Sequence, residues 1–261
     1  MNRSLDIDGL LLDMDGVLYV GDRPVDGARE TLERLRRARM PLRFITNTTT
    51  RPPRDLVEKL GRLGFEADHE EIFSAVTATR LFLEGRGRPS CHLLVRDSVK
   101  PLFQAFPQRA ETPDYVVVGD IGAKWDYETL NCVFNMLMRG SRLLCMHRNK
   151  YWQEDEGLRM DIGAFVAALE YVADARAIVV GKPAPAFFQQ ALRSLDLPAE
   201  RVAIVGDDIE SDVGGGQACG LVGALVKTGK YRKELAARSS VRPDAVIESI
   251  ADLPDLLGLT N

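Results

Sequence analysis

Nine short apolar runs recur along this chain, and most are separated by segments with helical spacing, the pattern of parallel strands joined by crossover helices. The runs are Leu10–Met14, Leu42–Thr46, His92–Val95, Tyr115–Val118, Leu143–Met146, Ala177–Val180, Val202–Val205, Val222–Val226 and Ala245–Ile247. Between them, Leu56/Leu60/Leu63, Leu130/Val133/Phe134/Leu137, Ile162/Val166/Leu169 and Phe188/Ala191/Leu192/Leu195 return every three or four residues, as one face of a helix requires. The pattern predicts an α/β fold with a doubly wound, Rossmann-like parallel sheet. Nine strands are many for one sheet, and Glu84–Pro89 has the composition of a loop. The expected division is therefore a core of residues 1–84 and 177–261, with an inserted α/β domain at 85–176.

Composition narrows the class. At 261 residues, 45% hydrophobic and 28% charged, the chain has the balance of a soluble globular protein. No window approaches the roughly 18 consecutive apolar residues of a membrane span, and Met1–Asp6 has no apolar core of signal-peptide length. No membrane association and a cytoplasmic location are expected. The net charge of −4 argues against nucleic acid as a partner. The one basic cluster, Arg34–Arg39, lies on a segment whose Ala28, Leu32, Leu35 and Ala38 form an apolar stripe, so it reads as a solvated helix face. Cys91, Cys132, Cys145 and Cys219 form no C-x-x-C pair and read as packing thiols, and His69, His92 and His147 lack metal-ligand spacing.

In open α/β sheets ligands bind beyond the carboxyl ends of the strands, so the residues just after each run carry the chemistry. The first run ends in Asp13-Met14-Asp15-Gly16, the second in Thr46-Asn47, the sixth in Gly181-Lys182-Pro183 and the seventh in Gly206-Asp207-Asp208. Singly, each would read as a turn or a cap. Together they supply carboxylates, a hydroxyl and a lysine to one end of a sheet, a set suited to phosphoryl transfer, where positioning and charge stabilisation do most of the catalysis. Mg²⁺ would relieve the crowding of acids, with Asp13 and either Asp207 or Asp208 as oxygen ligands. Asp13 and Asp15 share strand parity, which predicts both carboxylates on one side. One would attack phosphorus to form an aspartyl-phosphate, and the other would protonate the leaving oxygen and then activate water.

These motifs resemble, in order, those of the haloacid dehalogenase-type phosphatases: an apolar strand with D-x-D-G, the hydroxyl of Thr46, the lysine of Gly181-Lys182-Pro183 and the acidic turn Gly206–Asp212. The long α/β segment between the second and third motifs is similar to the cap of the NagD-like subclass IIA. Gly157–Gly163, Asp212–Gly215 and Lys227–Lys230 resemble, more narrowly, phosphatases of the phospholysine and phosphohistidine type. The resemblance implies Asp13 as nucleophile and Mg²⁺ ligand, and Asp15 as acid/base and as a ligand through its main-chain carbonyl. It makes Asp207 the remaining carboxylate ligand, and has Thr46, Asn47 and Lys182 holding the phosphoryl group. Asp208 and Asp212 would orient a metal-bound water or the lysine, with Asp208 alternatively stabilising the turn. In the insertion, Arg148, Lys150, Tyr151 and Arg159 are candidates for the leaving group. A small phosphorylated substrate, Mg²⁺ and a homodimer are the expected partners; phosphoramidate or pyrophosphate hydrolysis, or a weakly catalytic Mg²⁺-binding regulator, are the alternatives. A dinucleotide-binding reading of Gly214–Gly220 is disfavoured because that run does not follow a strand.

Overall fold

The computed structural model describes residues 5–154 and 157–259. Positions 1–4 of the N-terminal reading lie outside the described residues. Five strands precede the insertion: β1 (Gly9–Asp13), the short hairpin β2 (Tyr19–Val20) and β3 (Arg23–Pro24), β4 (Leu42–Thr46) and β5 (Ile72–Ser74). Six follow within it: β6 (Cys91–Leu94), β7 (Tyr115–Val118), β8 (Arg142–Cys145), β9 (Tyr151–Glu154), β10 (Gly157–Met160) and β11 (Ile178–Val179). The chain then adds β12 (Val202–Gly206), β13 (Val222–Val226) and β14 (Ala245–Ile247). The principal helices are α1 (Ala28–Arg37), α2 (Pro53–Arg62), α3 (Ala75–Glu84), α4 (Tyr127–Met138), α5 (Ile162–Ala173) and α6 (Pro185–Arg193).

Contacts divide the chain into two compact units, Met1–Thr46 with Leu56–Phe73 and Lys182–Asn261, and Asn47–Asp55 with Ser74–Gly181. The first carries a six-stranded sheet in the order β14-β13-β12-β1-β4-β5. β1 pairs in parallel with β12 on one side and β4 on the other. All five of its residues are buried. A central parallel strand is covered on both faces, which is why Leu10-Leu11-Leu12 runs without alternation. The strand order reverses between β1 and β12, placing the crevice of a doubly wound sheet beyond Asp13 and Gly206. α1 turns its Ala28, Leu32 and Leu35 into the core as the stripe predicted, but Ala38, the last residue of that stripe, is exposed at the C-cap, and of the basic cluster Arg34 and Arg36 are half-buried rather than solvated.

Arg36 makes a two-pronged bond to Glu71, with Nη2 to Oε2 at 2.5 Å. Burial pushes the Glu71 carboxyl up, but the Arg36 fork and the Asp68 N–H outweigh it and hold the group below its ordinary value. A carboxyl depressed in the folded state contributes stability above its unfolded value and loses it as pH falls through the folded one. Glu71→Gln is therefore expected to lower stability by about 0.5–1 kcal/mol at pH 7, with the difference shrinking as pH falls below the ordinary glutamate value of about 4.3; urea titrations at pH 7 and in that acid range read it.

The second unit has a four-stranded sheet, β11-β8-β7-β6, parallel in its pairings. β7 buries Tyr115 and Val117 in one apolar cluster and Val116 and Val118 in another, so both its faces are covered. The loop at Glu84–Pro89 lies between α3 and β6, and α3 packs with the second unit through Ala75, Val76 and Leu83. The four cysteines are free, but Cys132 points outward from α4 and does no packing. No helix among the described residues is long and apolar enough to cross a membrane.

Candidate active site

Asp13 closes β1 and is 6% exposed. The strand stops there: Asp15 lies in the following turn, bridging only to Tyr19, and is exposed. The parity argument for the two acids therefore fails, because it requires a strand that continues through Asp15. The turn gives them unlike surroundings instead. Enclosure by protein raises the Asp15 carboxyl, with Lys59, Lys230 and Lys182 opposing the rise. Lys59 reaches this turn from α2, donating to the Gly21 carbonyl at 2.9 Å and lying 4.0 Å from the Tyr19 ring centre.

Lys182 is 3% exposed and bridges two carboxylates, Asp13 Oδ1 at 2.5 Å and Asp212 Oδ1 at 2.6 Å. It does not follow a strand of the core sheet: β11, just before it, belongs to the sheet of the insertion. Three strand ends and the returning chain thus build the site, where the sequence suggested four strand ends. Thr46, 4% exposed, closes β4, and Asn47 follows it directly. The Asn47 amide oxygen lies where a Cβ at Gly181 would come within 2.7 Å.

Asp207 follows β12 and is 2% exposed; its Oδ2 accepts from the Lys230 N–H at 2.6 Å. Two glycines permit this placement. A Cβ on Gly16 would sit 1.8 Å from Asp207 Oδ2 and one on Gly229 2.1 Å from it, and both have positive φ. Thr228 Oγ1 donates to the Gly16 carbonyl, tying the two turns together. Asp212 is equally buried, and a Cβ on Gly206 would fall 2.3 Å from its own Cβ. Asp208 caps the π-helical turn Ile209–Gly214, its Oδ1 accepting from Glu210 N at 3.0 Å and Ser211 N at 2.9 Å. Of its two expected roles, this is the turn-stabilising one. Asp208→Ala is expected to cost about 1 kcal/mol, seen as a melting point lower by about 2–4 °C.

One ligand atom each from Asp13, Asp207 and Asp212 can lie within 4.8 Å of the others. Burial raises all three carboxyls. Lys182 works against it at Asp13 and at Asp212, which is still pushed up to about 6. Asp207 stands well above its ordinary value, through burial and then through repulsion by Asp13 and Asp212. Burial also pulls Lys182 down, but its two acidic partners outweigh this and keep it protonated. The contact of buried Asp212 Oδ1 with the Lys182 ammonium is an ion pair. An oxygen-only, buried set with more acids than bonded ammonium groups fits a hard divalent cation such as Mg²⁺. Asp212, expected only behind the metal ligands, is one of the three clustered acids. The Asp15 carboxylate is not, and its expected contribution was the main-chain carbonyl.

Lys230 is the group that strand-end reasoning missed. Burial opposes its charge, but Asp207, Asp13 and Asp212 raise its ammonium. The signal was present, because Lys227-Thr228-Gly229-Lys230 directly follows β13. The glycine run Gly214–Gly220 packs rather than binds: Gly215 lies against Phe188 and Pro183, and Gly216 against Ile204. In the insertion, Arg148 pairs with Glu170 at 2.6 Å. Buried His147 accepts from Asn149 N and lies 3.8 Å from Asp161.

The family pattern of haloacid dehalogenase-like hydrolases matches residues 10–106, and a second pattern of the same kind matches 179–253. The chain is 40% identical over 247 residues to haloacid dehalogenase-like hydrolase domain-containing protein 2 of Homo sapiens, covering 94% of each chain. It is 38% identical to the phospholysine phosphohistidine inorganic pyrophosphate phosphatase of Danio rerio, covering 98% of this chain and 95% of that one. Among solved structures it resembles the 4-nitrophenylphosphatase of Thermotoga maritima, with a TM-score of 0.91 and 29% identity over 97% of this chain and 98% of the other. With the four motifs in order and relatives aligned over almost its whole length, the chain belongs to the haloacid dehalogenase-like hydrolases and is a phosphohydrolase of that family.

Proposed function

We propose that this protein is a Mg²⁺-dependent phosphatase that hydrolyses a small phosphorylated compound through an aspartyl-phosphate on Asp13. The observation that carries the reading is the buried Lys182 ammonium bonded to both Asp13 and Asp212 beside Asp207, at the reversal point of the sheet. An ammonium there orients the Asp13 carboxylate and offsets the charge of an incoming phosphoryl group. Thr46 Oγ1 and the Asn47 amide, with Lys182, hold its oxygens. Asp13 and Asp207, with the main-chain carbonyl of Asp15, would hold Mg²⁺, which when bound supplies positive charge against the phosphoryl oxygens.

In the first step an Asp13 carboxylate oxygen forms a bond to phosphorus as the bond to the leaving oxygen breaks, and Asp15 gives that oxygen its proton. In the second, Asp15, now a carboxylate, takes a proton from water as the water oxygen attacks phosphorus and frees Asp13. A raised carboxyl suits this exchange, since an acid/base works best with its pKa near the working pH. The second acid, two positions after the first, thus has a task that a mere phosphate-binding site does not need.

The substrate named for the zebrafish relative makes phosphoramidates and pyrophosphate narrower candidates. A panel of p-nitrophenyl phosphate, a phosphoramidate and pyrophosphate, assayed with Mg²⁺ and with EDTA, tests the proposal. Hydrolysis of at least one is expected, falling by about 10³-fold or more in EDTA. Equal rates with EDTA would remove the metal from the mechanism, and no hydrolysis of any would favour a binding protein.

A further inference from the structure

A second site lies wholly within the insertion, at the amino ends of β6, β7 and β8, the end opposite to that where α/β sheets place their active crevices. A cavity of about 580 Å³ opens there, lined by Arg86, Arg139 and Arg142 with Thr112, Asp114 and Ser141. None of these residues belongs to the acidic cluster or to the four motifs. Three guanidinium groups around one cavity need a reason in a chain whose net charge is −4.

Two of the three are held in place by aromatic rings. The Arg86 guanidinium lies 3.6 Å from the Phe82 ring centre, and that of Arg142 lies 5.3 Å from the Tyr115 ring centre, with Nη1 donating to the Tyr115 hydroxyl at 3.0 Å. The rings themselves meet edge to face at 6.0 Å. Stacking fixes a guanidinium while leaving most of its donors in the ring plane, so little freedom is lost when an anion binds. Arg139 ends α4 and is exposed, and the next residue, Gly140, has φ +98 and open space beside it. Ser141 adds a buried hydroxyl with no hydrogen-bond partner.

The one acid in the lining, Asp114, is tied to Ser90 and offsets one of the three guanidinium charges. Asp114 Oδ2 accepts from Ser90 N at 2.8 Å and Ser90 Oγ at 2.5 Å, bonds that hold its carboxyl below its ordinary value, and Arg109 adds a further positive charge beside it. Glu84 is paired with Arg80 at 2.5 Å. The balance of the cavity is positive.

We infer that this cavity binds a small polyphosphate anion, a ligand separate from the substrate of the motif residues. Guanidinium forks match phosphate oxygens two at a time, and three forks suit several linked phosphates better than one. The volume agrees, falling in the range of roughly 300–1,000 Å³ that holds ligands larger than a single phosphate. The inference does not depend on the proposed reaction, because it is read by binding and not by turnover.

Calorimetric titration of the whole protein with tripolyphosphate and with ATP, both in EDTA, tests it. Binding of at least one is expected, with affinity falling at least about tenfold in Arg86→Ala/Arg142→Ala and in Arg139→Glu. Asp13→Asn is expected to retain the binding. Tighter binding of ATP than of tripolyphosphate would assign the ligand a nucleoside; equal binding would assign the phosphates alone. Should the double variant not fold, Arg139→Glu, a change of one exposed side chain, carries the test by itself. No binding of either anion by the wild type, or unchanged affinity in the cavity variants, overturns the inference.

Discussion

The Asp13→Asn protein is expected to hydrolyse p-nitrophenyl phosphate at least about 10⁴-fold more slowly than the wild type, while melting within a few degrees of it. An amide of the same shape still accepts the Lys182 hydrogen bond but has no electron-rich carboxylate oxygen with which to attack phosphorus. The two readouts must be taken together. Loss of activity with an intact melting transition points to the missing nucleophile; loss of both would indicate only that the cluster had come apart. Turnover within tenfold of the wild type would end the case for an aspartyl-phosphate.

Lys182→Met should have a comparably large effect, on stability as well as on turnover. Removing the ammonium leaves Asp13 and Asp212 buried and facing each other without the cation that bridges them. Breaking a buried ion pair by deleting one partner costs about 3–5 kcal/mol, much of it the price of the charge left behind. The sign with pH follows from the direction of the shifts. Burial already holds Asp212 at about 6 with the lysine present, and without it the carboxyls rise further. A carboxyl raised in the folded state favours folding below its unfolded value of about 4, and this contribution is lost as pH rises through the folded value. Urea titration of Lys182→Met should therefore show the deficit at pH 8 shrinking toward pH 5, and shrinking also with added Mg²⁺. A deficit independent of both would mean that lost packing around the lysine stem, rather than charge, is what the substitution removes.

All nine strands read from the sequence are present, because a parallel strand covered on both faces must be apolar throughout, and such runs stand out. Five strands were missed; β5 is a buried edge strand of the core sheet but only three residues long, too short a run to stand out, and the other four are of another kind. β2 and β3 are two residues each, and Val20 and Arg23 are exposed, so no apolar run marks them. Among the described residues β9 and β10 pair only with each other, and their sequences, Tyr151-Trp152-Gln153-Glu154 and Gly157-Leu158-Arg159-Met160, hold no continuous apolar run. In the candidate site, Asp13, Thr46, Lys182 and Asp207 were legible from their places after apolar runs. The depth of Asp212 was not, because it depends on Gly206 lacking a Cβ. The unlike settings of Asp13 and Asp15 were hidden by the point at which β1 stops, and strand ends commonly escape a reading by pattern. The origin of Lys182 was hidden for a different reason: sequence periodicity does not say to which sheet a strand belongs, and β11 joins the insertion.

The position of β1 between β4 and β12 has a consequence for synthesis. Its partner on one side is 190 or so residues downstream, beyond the whole insertion. At ribosomal rates of about 5–20 residues per second, Leu10–Leu12 wait roughly 10–40 s for Val202–Gly206 to emerge. During that time the insertion, which has apolar clusters of its own, can collapse, whereas the first sheet lacks its middle seam. The nascent chain therefore carries an unpaired apolar strand edge for most of its production, the condition under which chains associate with one another or engage chaperones. Asp13, at the tip of that edge, meets Asp207 and Lys182 only when the seam closes, so the acidic cluster is among the last features of the molecule to form.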